Sequence, residues 1–203
     1  MQPQKQLPPH YAVAGTLDLS RNRWALIGLT MGSIAAFFLF GWLALALLAA
    51  LRPDLGSVSF QVGAGNLLPF LLGFVALLAM TVIVHEAIHG LFFWLFTRER
   101  PRFGFQGLYA YAAAPDWYLP RRQHLIVTLA PLVVITVIGL LWVWIAPVAV
   151  VIPLLLVVVL NAAGAVGDLV TAVWLLAQPA TTLVRDSGDA ITLYRPPPTL
   201  SSQ

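Results

Sequence analysis

The sequence predicts an all-α integral membrane protein: four transmembrane helices, a cytoplasmic loop and a short polar C-terminal tail. Three observations carry that prediction. Of the 203 residues, 60% are hydrophobic and only 9% charged, too little charge to keep a soluble domain of this size in solution. The apolar residues fall in long blocks without charge, as helices that cross lipid require, and mean hydropathy is +0.86. Arginine and lysine are confined almost wholly to alternate connections between the blocks.

The polar start, "MQPQKQLPPHYAVAGTLDLSRNR", lacks a compact apolar segment with a small-residue cleavage site, so no removable signal peptide is expected. Ala25 to Leu51 carries no charge and is long enough to span. A loop punctuated by Pro and Gly, "RPDLGSVSFQVGAGN", follows it. Leu67 to Phe96 makes the second span. The longest hydrophilic connection, "TRERPRFGFQGLYAYAAAPDWYLPRRQ", comes next. From Leu125 to Gly167 there is no Asp, Glu, Lys or Arg, which is too long for one helix. A break near Pro147 divides it into a third span, Leu125 to Ile145, and a fourth, Val148 to Ala177. After Ala177 the chain is polar, and "TTLVRDSGDAITLYRP" sets two β-prone runs around a Ser-Gly turn, the pattern of a small hairpin. The end, "RPPPTLSSQ", has the composition of a disordered segment. The expected organisation is a tail over 1–24, a four-helix membrane domain over 25–177 and a second tail over 178–203.

Orientation follows from the basic residues. Lys5, Arg21 and Arg23 lie in the N-terminal tail, and Arg98, Arg100, Arg102, Arg121 and Arg122 in the middle loop. Arg185 and Arg195 lie in the C-terminal tail, which leaves only Arg52 for the other two loops. An even number of spans places both tails and the middle loop on one side, and the positive-inside bias makes that side the cytoplasm. Trp24, Trp94 and Trp174 then fall near cytoplasmic ends, and Trp142 and Trp144 near an outer end, as an interfacial aromatic belt would have them. The absence of cysteine excludes disulfides and thiolate metal sites, and a small, dispersed net charge of +3 gives no reason to expect nucleic acid.

The second span contains "VIVHEAIHGLFF". His85, Glu86 and His89 form H-E-x-x-H. Residues four apart on a helix lie about 40° apart around the axis, so both imidazoles face one side and can share one metal ion. Three protein ligands would leave a position open for water, and Glu86, beside that face, could take a proton from the water and return it to a leaving amine. The alternative is a polar knot satisfied by neighbouring helices. Against it, an acidic residue central in a span costs about 2.5–3.5 kcal/mol on insertion scales, a cost usually borne for function.

The only ionisable residue of the fourth span is Asp168, in "NAAGAVGDLV", the candidate third ligand. At the helical rise, His89 lies about 10 Å in from the cytoplasmic end of its span and His85 about 16 Å, with Asp168 about 14 Å in on its own helix. The three groups share one layer. Gly164 and Gly167 are expected to let the fourth helix approach a neighbour closely. Asn161, seven residues before Asp168, shares roughly its face and is a candidate for binding the substrate backbone; an interhelical hydrogen bond is the equal alternative. His124 reads as an interfacial residue rather than a ligand. Two imidazoles and a carboxylate suit zinc, and suit iron or cobalt as well.

"HEAIHGLFF", "FGF" and "YAYAAAP" in the middle loop, Pro131 in "LAP", and "NAAGAVGDL" together resemble the zincin peptidases of prokaryotic membranes. These are small multi-span proteins related in plan to the site-2 intramembrane metalloproteases. The resemblance covers roughly Leu67 to Tyr194. It implies one Zn²⁺ held by His85, His89 and Asp168, Glu86 as the catalytic base, a membrane protein or peptide as substrate, and residence in a prokaryotic cell (inner) membrane. One departure is visible: site-2 proteases typically offer Asp then Gly after an Asn- and Pro-containing stretch, whereas here Gly167 precedes Asp168 and Gly164 stands where the proline would be.

The expected activity is thus zinc-dependent endopeptidase cleavage within or at the edge of the membrane. A substrate strand entering lipid needs partners for its backbone and could pair with a strand of "RFGFQGLYAYAAAP", a segment that reads otherwise as a plain interface loop. The alternatives are a membrane assembly protein that holds metal without turnover, and a small metal transporter.

Overall fold

The computed structural model describes residues 1–19, 22–53, 66–105 and 109–197. Arg21, most of the first loop (54–65) and residues 198–203 of the predicted disordered end lie outside the described residues, while Arg195, which opens that end, belongs to a strand. Among the described residues five helices dominate: α1 (Arg23–Leu51), α2 (Leu67–Thr97), α3 (Arg121–Ile145), α4 (Val148–Gly164) and α5 (Val166–Leu176). Six short strands accompany them: β1 (Ala12–Leu17), β2 (Arg102–Phe105), β3 (Ala110–Ala113), β4 (Leu119–Pro120), β5 (Leu183–Asp186) and β6 (Ile191–Arg195). The prediction of an all-α fold is corrected to that extent.

Helices α1, α2 and α3 are each long and apolar enough to cross a membrane, and α4 with α5 makes a fourth crossing if the bent pair is one span. Phe38, Trp42, Leu72 and Ile83 each expose more than half of their surface, an apolar exterior that suits lipid and not water. The predicted fourth helix is broken, with α5 turned by 46° from α4. The break follows Gly164, a poor helix former. A Cβ at Gly164 or at Gly167 would meet nothing within 4 Å, so neither glycine serves the close packing expected of it.

The chain comprises two compact units, Leu29–His85 with Pro131–Val166, and Met1–Gly28 with Glu86–Ala130 and Gly167–Gln203. The first is purely helical among its described residues. Its core joins Ala44 and Leu48 of α1, Val143 of α3 and Val151, Leu155 and Val159 of α4. Gly139 is what admits α4 to α3, since a Cβ there would overlap the Val158 side chain. Arg52 closes the end of α3, its Nη1 donating to the carbonyls of Val143, Trp144 and Ala146, groups that a helix C-terminus leaves without internal donors.

The second unit holds both sheets. In the larger, of order β1-β6-β5-β4, every pairing is antiparallel. The predicted hairpin of the C-terminal tail is β5–β6, turning at Gly188 with φ +89, a conformation glycine adopts at little cost. The N-terminal tail adds β1 alongside β6, from Ala12 opposite Arg195 to Leu17 opposite Ile191, and the middle loop adds β4. The smaller sheet pairs β2 with β3, antiparallel, so Arg102–Phe105 and Ala110–Ala113 of "RFGFQGLYAYAAAP" are strand rather than plain loop. Phe103 of β2 lies over Gly90 of α2, where a Cβ would overlap its ring. Phe93 is buried with Ala114, Leu119 and Val127, and Leu175 with Val184 and Leu193. Lys5 ties the N-terminal segment to Glu99, which also accepts from Trp117 Nε1 at 3.0 Å. Those two donors, the lysine above all, hold the Glu99 carboxyl below the usual glutamate range.

Candidate metal centre

His85 and His89 stand one turn apart on α2, in a run of helix without break. Asp168 is the third residue of α5, placed there by the break after α4. One ligand atom from each of the three lies within 4.8 Å of the others. His89 Nε2 is 3.5 Å from Asp168 Oδ2, long for a hydrogen bond. It is close to the separation of about 3.3 Å that two donors adopt around a tetrahedral ion at zinc distances.

The other ring nitrogens are engaged. His89 Nδ1 lies 2.9 Å from the carbonyl of Val127 on α3. A carbonyl can only accept, so Nδ1 carries a proton and Nε2 is the ring atom left to face Asp168 and a metal. His85 Nδ1 lies 2.9 Å from Asn161 Oδ1. The amide orientation of Asn161 is fixed from its far end, where Nδ2 donates to the carbonyl of Pro131 at 3.3 Å. Oδ1 therefore faces the ring, and His85 too bears its proton on Nδ1. Both imidazoles are held in the tautomer that presents Nε2 to a metal, the outer-shell arrangement usual for histidine ligands. The donor set of two Nε2 atoms and one carboxylate fits a single zinc ion with room for a water.

His89 is buried, while His85, Glu86 and Asp168 are half-buried. Asn161 is 1% exposed, and both ends of its amide are engaged by other helices, His85 on α2 and Pro131 on α3. His124, near the start of α3, is enclosed by protein. It is 2% exposed, its Nδ1 lies 3.1 Å from Thr128 Oγ1, its Nε2 3.4 Å from Asp186 Oδ2 of β5, and its ring stands edge-on to Phe93. The sequence conceals this because Asp186 reaches the helix only through the folded C-terminal hairpin. Sequence reasoning also passed over the Val127 carbonyl. The one signal for it was the proline four residues later.

A helical protein of membrane character with a clustered His-His-Asp site is the class these features define. Residues 78–183, just over half the chain, match a family described as "putative zincin peptidase", and the chain belongs to that family. The matched stretch contains His85, Glu86, His89, Asn161 and Asp168. No curated protein and no solved structure matches the chain.

Proposed function

We propose that the protein is a zinc-dependent endopeptidase that cleaves membrane-embedded or membrane-adjacent peptides from the cytoplasmic side. The observation that carries this reading is the convergence of His85, His89 and Asp168, with both imidazoles locked by Nδ1 hydrogen bonds, beside a glutamate in H-E-x-x-H spacing. Bound zinc supplies a Lewis acid for the peptide carbonyl and for water. Glu86 receives the proton of the attacking water and delivers it to the leaving amine. Asp168 and the two histidines hold the ion. Asn161 and the Val127 carbonyl keep the rings aimed.

The substrate backbone would find its partners by adding a strand to the β2–β3 sheet, which Phe103 seats over Gly90, the residue after His89. One sheet containing β1, β4, β5 and β6 draws on both tails and the middle loop, which supports a common side for all three. The positive-inside bias makes that side the cytoplasm of a prokaryotic cell, with a membrane domain over 25–177.

The test reconstitutes the full chain in vesicles with a panel of single-span peptides. Wild type should carry one zinc per chain and cleave at least one of them. Glu86→Gln should keep the zinc and lose cleavage, and His85→Ala should lose both. Zinc-free wild type, or undiminished turnover by Glu86→Gln, would refute the assignment.

A further inference from the structure

We propose that Pro131 is the positioning residue for both histidines, through the N–H it lacks and the carbonyl it offers. The inference rests on the metal-site reading above and extends it to a residue outside the motif.

Pro131 stands inside α3. In an α-helix the carbonyl of residue i−4 accepts from the N–H of residue i, and proline has none. The residue four before Pro131 is Val127, and its carbonyl is the one that accepts from His89 Nδ1 at 2.9 Å. The pyrrolidine ring also crowds the i−4 carbonyl and deflects it from the helix axis. A proline that would ordinarily cost a span one hydrogen bond here turns a backbone acceptor toward a buried imidazole. That acceptor is apolar in sequence terms, a valine, which is why no polar residue advertises the contact.

The second arm uses the same residue. A helical carbonyl has two lone pairs, and that of Pro131 accepts from Asn161 Nδ2 at 3.3 Å. This contact sets the amide so that Oδ1 meets His85 Nδ1 at 2.9 Å. One residue of α3 thus fixes the tautomer of His89 through a group it frees and that of His85 through a group it supplies. A side chain in place of the Val127 carbonyl would hold the His89 ring less rigidly, since it adds rotatable bonds.

The experiment compares Pro131→Ala with Pro131→lactic acid in the full chain in nanodiscs. The two differ only in a backbone N–H replaced by an ester oxygen. Cobalt(II) affinity and its visible spectrum report the loaded site, and ¹⁵N-histidine spectra report the tautomers in the metal-free chain. The alanine variant restores a donor that competes with His89 for the Val127 carbonyl. Its cobalt affinity should fall about 10–100-fold, the usual effect of losing an outer-shell partner, and its His89 Nδ1–H signature should be lost. The lactic acid variant should match wild type in both. Asn161→Leu should alter the His85 signature and leave that of His89.

Equal losses in the alanine and ester variants would place the effect in the proline ring and overturn the proposal, as would an alanine variant indistinguishable from wild type. If Pro131→Ala does not fold, the ester variant decides, since wild-type affinity supports the proposal and loss refutes it. If wild type itself binds no metal, the metal-site reading fails, while the ¹⁵N spectra still judge the role of Pro131.

Discussion

Replacing Asp168 by Ala removes one of the three proposed donors and leaves two imidazoles on a single helix. The carboxylate Oδ2 stands 3.5 Å from His89 Nε2. Donors around a tetrahedral zinc stand about 3.3 Å apart, so the pair reaches ion-sharing geometry with a movement of only ~0.2 Å. Little reorganisation energy therefore offsets the loss of the ligand. Closed four-ligand zinc sites bind with about 10–16 kcal/mol, or roughly 3 kcal/mol per donor. At 1.4 kcal/mol per decade, the dissociation constant of Asp168→Ala should rise by about two decades. Asp168→Asn, which keeps the shape and a weaker oxygen donor, should fall between. Competition for zinc against a chromophoric chelator, at neutral pH in detergent, measures all three proteins. Affinity for Asp168→Ala within about threefold of wild type, a difference under ~0.7 kcal/mol, would remove Asp168 from the coordination sphere and refute the geometry.

Gly139→Val drives a side chain into Val158 and should cost about 1–3 kcal/mol in thermal unfolding, with partial recovery in the double variant carrying Val158→Ala. Phe93→Ala empties a site that is 1% exposed among Ala114, Leu119 and Val127, and should destabilise by about 3–5 kcal/mol, read by the same melt. Because Lys5 and Trp117 depress the Glu99 carboxyl, their tether is fully formed above the ordinary glutamate pKa and is lost as pH falls through the lowered value. The Trp117 indole N–H resonance should therefore titrate below the ordinary range, and Lys5→Ala should move that titration back up.

The spans were legible because lipid imposes one rule on every residue between its faces. Ala25 to Leu51, Leu67 to Phe96 and Leu125 to Ile145 anticipate α1, α2 and α3 to within a few residues. His85, His89 and Asp168 were legible because charge and imidazole are conspicuous in an apolar run, and the helical rise put them at one depth. Strand β1 was not legible, since "AVAGTL" has no marked alternation and pairs with a strand from the opposite end of the chain. Nor was the bend between α4 and α5. Glycine serves either close packing or a break, and Gly164 alone does not say which. The role of Asn161 depended on which helix faced it, a matter of tertiary placement that no single span records.

The order of strands in the larger sheet bears on how the molecule is made. Strand β1 is made long before β6, yet the two lie side by side, and β4 pairs with β5. A nascent chain with every helix already formed therefore still has β1 and β4 waiting for their partners, and His124 waiting for Asp186. Closure of the sheet therefore waits until β6 has been made. A product that stopped before β5 would hold the motif helix but leave raw strand edges, open to mispairing and to degradation.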